Sequence, residues 1–379
     1  MRITEVELAV VRKASGMAAE SNAHALRREG DQPAATEKAP DVELVVITIK
    51  TDAGITGQSM AWGVRGARRL AEEISAIIVP EILGEDPINR EYLYHKINHA
   101  DRWGGHLPIT AHGPIDVALW DITAKQAGLP LYKFIGGYRD KILAYGTGPR
   151  FTTPEGYVDE AKRARGLGFT AYKLHPLGVP AFDIECCARV REAMGPDFIL
   201  MSDPVGAYDY EDALRVGRAL EKLNYFWYEE PLHDYDIHNY VRLTQTLDIP
   251  IAGVEWAAGR NFLAAEYIVR GAVDIVRSDV SWKGGITGYL KTAHLCEAFG
   301  INCEIHLAIH SLLNVANVHA ACGIRNCRFV ELTVPIDNFG IQPGLSVDKD
   351  GYVHAPTAPG LGVEIDWALL EPMVVERLH

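Results

Sequence analysis

Residues 199–279 contain four apolar runs that each end in an acid: ILMSDP (199–204), YFWYEEP (225–231), IPIAGVE (249–255) and VDIVRSD (273–279). Apolar runs without alternation are the pattern of parallel strands buried on both faces. The pattern continues outward. Lys173 and His175 precede this stretch, and His306 and Glu331 follow it, again at the ends of apolar runs. From His175 through Asp203, Glu229, Glu255, Asp279 and His306 to Glu331 the steps are 28, 26, 26, 24, 27 and 25 residues. A strand, a covering helix and two short loops take about that many residues. Polar groups confined to strand ends at this period predict an α/β fold, a barrel of alternating strands and helices with a catalytic mouth.

At 379 residues the chain exceeds one ordinary core, so two domains are expected. Its hydrophobic share of 48% and charged share of 23% are those of a soluble globular protein. A net charge of −13 argues against nucleic acid and anionic membranes, which attract basic surfaces. No run approaches the roughly 20 apolar residues of a membrane span. The partner expected is a small molecule, and an anionic one would depend on a bound cation or a few local Lys and Arg. The N-terminal MRITEVELAVVRK carries charges throughout and lacks a signal peptide's apolar block. Cys186, Cys187, Cys296, Cys303, Cys322 and Cys327 form no CxxC pair and read as reduced packing residues of a cytoplasmic protein.

Ahead of the barrel pattern, residues 2–12 and 43–50 (within VELVVITIK) read as strands and TDAGITGQ (51–58) as a turn and short strand. Helical patterns follow at 66–79, 87–100 and 108–128. Residues 1–125 are therefore expected as an α+β unit, completed by about 355–379, with the barrel at 126–354. The polar stretch SGMAAESNAHALRREGDQPAATEKAP (15–40) is long enough to suggest a functional loop. Its His24 and Arg28, with Trp62 and Arg65 of AWGVRGARR (61–69), are the candidate substrate-binding residues, suited to a hydroxyl-rich ligand.

Asp203, Glu229 and Glu255 end consecutive strands, and three carboxylates aimed into one space repel unless a cation sits between them. Few hard oxygen ligands, with room for water and substrate, favour Mg²⁺. No lysine is expected among them. Glu230 should point away, because the even spacing selects Glu229. Lys173 and His175 share a strand face. Asp279 would fix the tautomer of His306 and raise its basicity. Glu331 reads either as a protonated hydrogen-bond donor to a substrate carboxylate or as a structural acid.

At these residues the chain resembles the enolase superfamily, specifically its mandelate racemase subgroup. The resemblance runs from GPIDVALWDITAKQAGLPLYKFIGG (113–137) through KLH (173–175) and the three carboxylates. It continues in VDIVRSDVSWKGGIT (273–287), INCEIH (301–306) and PGLGVEID (359–366). It implies a modified (β/α)₇β TIM-like barrel under an N-terminal α+β capping domain. It also implies Mg²⁺-dependent abstraction of a proton α to a carboxylate through an enediolate, and a homo-oligomer of two to eight subunits. Asp279 with His306 matches the subgroup of mandelate racemase and sugar-acid dehydratases, where muconate-cycloisomerase-like members carry a lysine. Two departures stand out: the usual Lys-x-Lys is Lys173-x-His175, and the usual Asp-x-Asn is Asp203-Pro204-Val205.

His306 would act as base on one face, with Lys173 and His175 acting from the other or holding the substrate. One well-defined base favours dehydration of a sugar acid to a 2-keto-3-deoxy acid over racemisation, epimerisation or lactone cycloisomerisation. A non-catalytic ligand-binding barrel has no need of the carboxylates and the Asp–His pair together.

Overall fold

The long, β-branched-rich segments at the start of the chain pair as a sheet. β1 (Ile3–Lys13), β2 (Val42–Thr51) and β3 (Thr56–Trp62) run antiparallel, and β2 is buried over most of its length. The computed structural model describes residues 1–13, 41–63, 66–307 and 311–378. The helix Ile109–Gln126 packs on this sheet and buries fifteen of its residues, from Thr110 to Ala124. An amphipathic surface helix would bury only one stripe, so this helix lies between two bodies.

Eight parallel strands then close a barrel: β4 (Lys141–Thr147), β5 (Ala171–Leu174), β6 (Ile199–Ser202), β7 (Tyr228–Glu229), β8 (Ile251–Gly253), β9 (Ile275–Ser278), β10 (Asn302–Ile305) and β11 (Phe329–Thr333). Closure is by β11 on β4, with Phe329–Thr333 in register with Leu143–Thr147. Seven helices follow the first seven strands, the last being Ser311–Gly323, so the (β/α)₇β expectation holds. The strand Tyr352–His354 adds to β4 antiparallel, and the strand Val374–Leu378 pairs with β1 of the other sheet. No helix among the described residues is long and apolar enough to cross a membrane. All six cysteines are buried and unpaired.

The motifs outside the mouth are joints between the two bodies. Asp116 of the buried helix accepts from the backbone N–H and hydroxyl of Thr287 at 2.9 and 2.7 Å, and Trp120 donates to the same hydroxyl at 2.9 Å. Gly285 approaches so closely that a Cβ there would lie 2.2 Å from Asp116 Oδ2, which explains a glycine in GGIT. Asp121 accepts from Leu361 N–H at 2.8 Å and from Gln58 N–H at 3.0 Å, tying the closing PGLGVEID segment to β3.

Candidate active site

Strand alternation sends Tyr145, Ala171, Met201, Trp227, Ala252 and Phe329 into one buried cluster inside the barrel. Tyr145 and Trp227 meet edge to face at 5.5 Å. This plug is the floor of the site. Two residues further along β5, β7 and β11 the same faces carry Lys173, Glu229 and Glu331, each buried. β8 breaks the rule. Alternation from Ala252 would turn Glu255 away, but Val254 takes φ +78° and resets the direction. Val205 (φ +55°) and Glu230 (φ +36°) are also left-handed beside Asp203 and Glu229. Strain of this kind at bulky residues costs on the order of 1–3 kcal/mol each and marks sites where side-chain direction matters more than stability.

Asp203, Glu229 and Glu255 offer ligand oxygens all within 4.8 Å of one another, and all three are buried. Glu230 is elsewhere: its Oε1 accepts from the Glu255 backbone N–H at 2.7 Å. The expectation that no lysine lies among the three is corrected here. Lys173 Nζ lies 3.0 Å from Asp203 Oδ2, 2.8 Å from Glu229 Oε1 and 3.1 Å from Glu331 Oε1. Its unbranched four-carbon stem carries the ammonium from β5 across the barrel interior, a reach that strand spacing does not reveal.

Sequence reasoning also missed Arg277. Fully buried on β9, it donates from Nε to Glu229 Oε1 at 2.8 Å and from Nη2 to Glu331 Oε2 at 2.6 Å, with Glu255 Oε2 at 3.8 Å. The signal was present as a cation two residues before Asp279 in an otherwise apolar strand. Burial opposes ionisation of Glu331, but the charges of Lys173, His306 and Arg277 outweigh it and hold the carboxyl well below the usual range. Paired with both Lys173 and Arg277, Glu331 sits as the structural-acid reading expects. Asp203 is likewise held low, Lys173 and His175 overcoming its burial. Glu255 differs. Burial and neighbouring carboxylates raise it far above the usual range despite Lys173, and its Oε2 has no hydrogen-bond partner.

These facts test whether a metal fits. Asp203, Glu229, Glu255 and Glu331 face two fixed cations, Lys173 and Arg277, so ionising Glu255 as well would leave two negative charges uncompensated. An all-oxygen donor set, a net charge of that size and an orphaned carboxylate oxygen suit a hard divalent cation.

Two histidines overlook the carboxylates. His306 Nδ1 is 3.1 Å from Asp279 Oδ2, and Nε2 is 3.2 Å from Glu255 Oε1. Asp279 is itself fixed, its Oδ1 accepting from Ser281 N–H at 2.6 Å and Trp282 N–H at 2.7 Å. The Trp282 ring stacks on His306 at 4.6 Å. Across the mouth, His175 Nδ1 lies 2.9 Å from the Gly148 carbonyl and Nε2 lies 3.3 Å from Asp203 Oδ2. A carbonyl only accepts, so Nδ1 carries a proton toward Gly148, and Nε2 is turned toward the Asp203 carboxylate at the cavity edge.

A cavity of about 190 Å³ opens over these groups. Trp62, the one described residue of the four proposed for substrate binding, lines it; His24, Arg28 and Arg65 lie outside the described residues. Trp256, Trp282, Val205 and Leu307 make its walls more apolar than the sequence suggested. Arg150, buried and donating to the Pro204 carbonyl at 3.2 Å, adds a cation to the lining.

Residues 31–136 match the family model for the mandelate racemase/muconate lactonizing enzyme N-terminal domain, and residues 156–369 match the enolase C-terminal domain-like model. The chain belongs to the mandelate racemase/muconate lactonizing enzyme family of the enolase superfamily. It is 32% identical over 336 residues to arabinonate dehydratase of Saccharolobus solfataricus, covering 86% of this chain and 88% of the relative. To L-talarate/galactarate dehydratase of Salmonella typhimurium it is 34% identical over 285 residues, covering 73% and 70%. The crystal structure of D-glucarate dehydratase from Agrobacterium tumefaciens complexed with magnesium superimposes with a TM-score of 0.86 at 34% identity, covering 99% of this chain and 100% of that one.

Proposed function

We propose that this protein dehydrates a sugar acid to a 2-keto-3-deoxy acid, with Mg²⁺ held by Asp203, Glu229 and Glu255. The observation that carries the reading is a single carboxylate-backed histidine, His306 on Asp279, facing that carboxylate cluster. Three relatives similar over most of the chain carry dehydratase names, which supports the same reaction class. A proton α to a carboxylate is too weakly acidic for a side-chain base alone. Bound magnesium would supply positive charge where the enediolate's negative charge develops, lowering the barrier most in the transition state.

His306 Nε2 takes the α-proton, and Asp279 steadies the imidazolium that results. The electron pair of the broken C–H bond forms the new double bond as the β-hydroxyl leaves. The same imidazolium returns its proton to that hydroxyl, so water departs and the enol tautomerises to the keto acid. Lys173 and Arg277 pair with the floor carboxylates and hold them apart. His175 positions the substrate through Nε2.

Racemisation or epimerisation is the second reading. In its favour, His175 also aims a basic nitrogen into the cavity from the opposite wall. Incubating a sugar-acid library with the protein and Mg²⁺ separates the two. Dehydration yields 2-keto acid. Stereoinversion with solvent deuterium entering the product, and no keto acid, would replace the dehydratase reading.

A further inference from the structure

Behind the Trp256–Trp282 pair, between the segment joining Arg90–Trp103 to Ile109–Gln126 and the loops after β8 and β9, lies a second cavity of about 160 Å³. His112 lines it. This ring is only 3% exposed, lies tilted with its centroid 5.0 Å from that of Tyr94, and has a partner for neither nitrogen among the described residues. Burial and the nearby Arg260 pull its pKa well below the ordinary value, so it is a neutral ring with one donor and one acceptor to satisfy. Buried polar atoms left unpaired cost about 1–3 kcal/mol each, and native structures answer them with protein, water or ligand.

Two cations, Arg260 and Lys283, join His112 in a lining that is otherwise largely apolar. Arg260 makes no hydrogen bond among the described residues; its guanidinium sits 5.6 Å from the Tyr94 ring. Lys283, 3% exposed, gives one bond, to the Ala257 carbonyl at 2.7 Å. The carboxylates of Asp279, Glu230, Glu255 and Asp234 act on Lys283 from the barrel side, and burial still pulls its pKa down. Asp101 is the acid in the lining, with Oδ1 accepting from Leu107 N–H at 2.6 Å. The eleven-residue helix Arg260–Arg270 starts here on Gly259 without a side-chain cap, so the positive end of its dipole meets the cavity. Arg260 (φ +53°) and His106 (φ +66°) border it in the left-handed region, uncommon for residues other than glycine.

We infer that this seam pocket binds a small oxyanion, a phosphate or a carboxylate, held by Arg260, Lys283, His112 and the uncapped helix start. Nothing in this depends on the dehydratase reading. Its consequence does bear on the mouth: the pocket backs on Trp256, which follows the ligand Glu255, and on Trp282, which stacks on His306. An anion bound there braces the wall that carries the base.

Calorimetric titration of the full chain with inorganic phosphate, at fixed Mg²⁺ and ionic strength, tests this. Arg260→Asn removes the guanidinium and suits the left-handed backbone; Lys283→Met removes the second cation. Saturable binding is expected in the unaltered protein, weakened at least about tenfold by either substitution, each converting to some 1.4 kcal/mol. It should survive Asp203→Asn. If Lys283→Met does not fold, Arg260→Asn, at a half-exposed position, decides alone. Phosphate bound equally by the Arg260 and Lys283 variants, or lost only in Asp203→Asn, places the anion at the catalytic carboxylates and overturns the proposal, as does the absence of saturable binding. Displacement of phosphate by a sugar diacid would identify the occupant as a substrate's far carboxylate. Simultaneous binding would identify it as a free anion.

Discussion

The two walls of the catalytic mouth each carry a histidine and differ in what stands behind it. On the β10 wall, His306 Nδ1 rests on a carboxylate that is itself locked by two backbone N–H groups and a serine hydroxyl. On the β5 wall, His175 Nδ1 rests on a backbone carbonyl, with the Thr147 hydroxyl at 3.3 Å. Both partners set the same tautomer. Behind His306 the carboxylate adds a charge on the far side of the ring from the cavity, whereas the carboxylate nearest His175, Asp203, meets it at Nε2 on the cavity side. The β10 wall is also sealed by Trp282, whereas the His175 side chain keeps 22% of its surface exposed. In the mechanism we propose, one wall takes and holds a proton and the other orients a ligand. A racemase needs two matched bases; a dehydratase manages with one.

The largest effect should come from His306→Asn, which removes the base and keeps a hydrogen-bonding side chain. Turnover should fall by about 10⁴-fold, the upper range for a general base, with melting temperature little changed. Near-normal turnover would erase the difference between the walls. Next is the floor that both walls share. Arg277→Met strands Glu229 and Glu331 with half their positive charge gone, and breaking a buried pair this way costs about 3–5 kcal/mol, read as a lower denaturant midpoint. An unaltered midpoint would mean the floor charges are not coupled as drawn.

The metal comes third. Glu255→Gln is a cleaner probe than Glu229→Gln, because Glu229 also balances Lys173 and Arg277 whereas Glu255 Oε2 lacks a hydrogen-bond partner. Magnesium at about a hundredfold over its dissociation constant stabilises a one-site protein by some 2.7 kcal/mol. That thermal shift should vanish in Glu255→Gln, and persistence would move the ion elsewhere. The smallest effect is expected from His175→Asn, about tenfold in kcat/KM, because Asn can still hydrogen-bond the substrate. A loss as large as that of His306→Asn would make the walls equivalent and favour the isomerase reading.

Much of this site could be read from the sequence because a closed parallel barrel imposes a period and puts its chemistry at strand ends. Asp203, Glu229, Glu255, Asp279 and His306 follow from that alone. What escaped has physical reasons. Arg277 lies within a strand, below the rim, where a period of strand ends does not look. Lys173 reached the carboxylates through the length of its side chain. Glu255 points inward only because Val254 adopts a left-handed backbone that its sequence disfavours. Trp256, Trp282 and Arg150 lie in loops, which have no period, and contact the cavity through tertiary packing.

The asymmetry of the walls is tested most directly by α-proton exchange in D₂O, followed by proton NMR on a sugar acid that the Mg²⁺-loaded protein turns over. Unaltered protein and His175→Asn should form keto acid, while His306→Asn should show neither keto acid nor loss of the α-proton signal. If His175→Asn instead abolished exchange while His306→Asn retained it, or if the unaltered protein only inverted the α-carbon with deuterium uptake, the one-base account would be wrong.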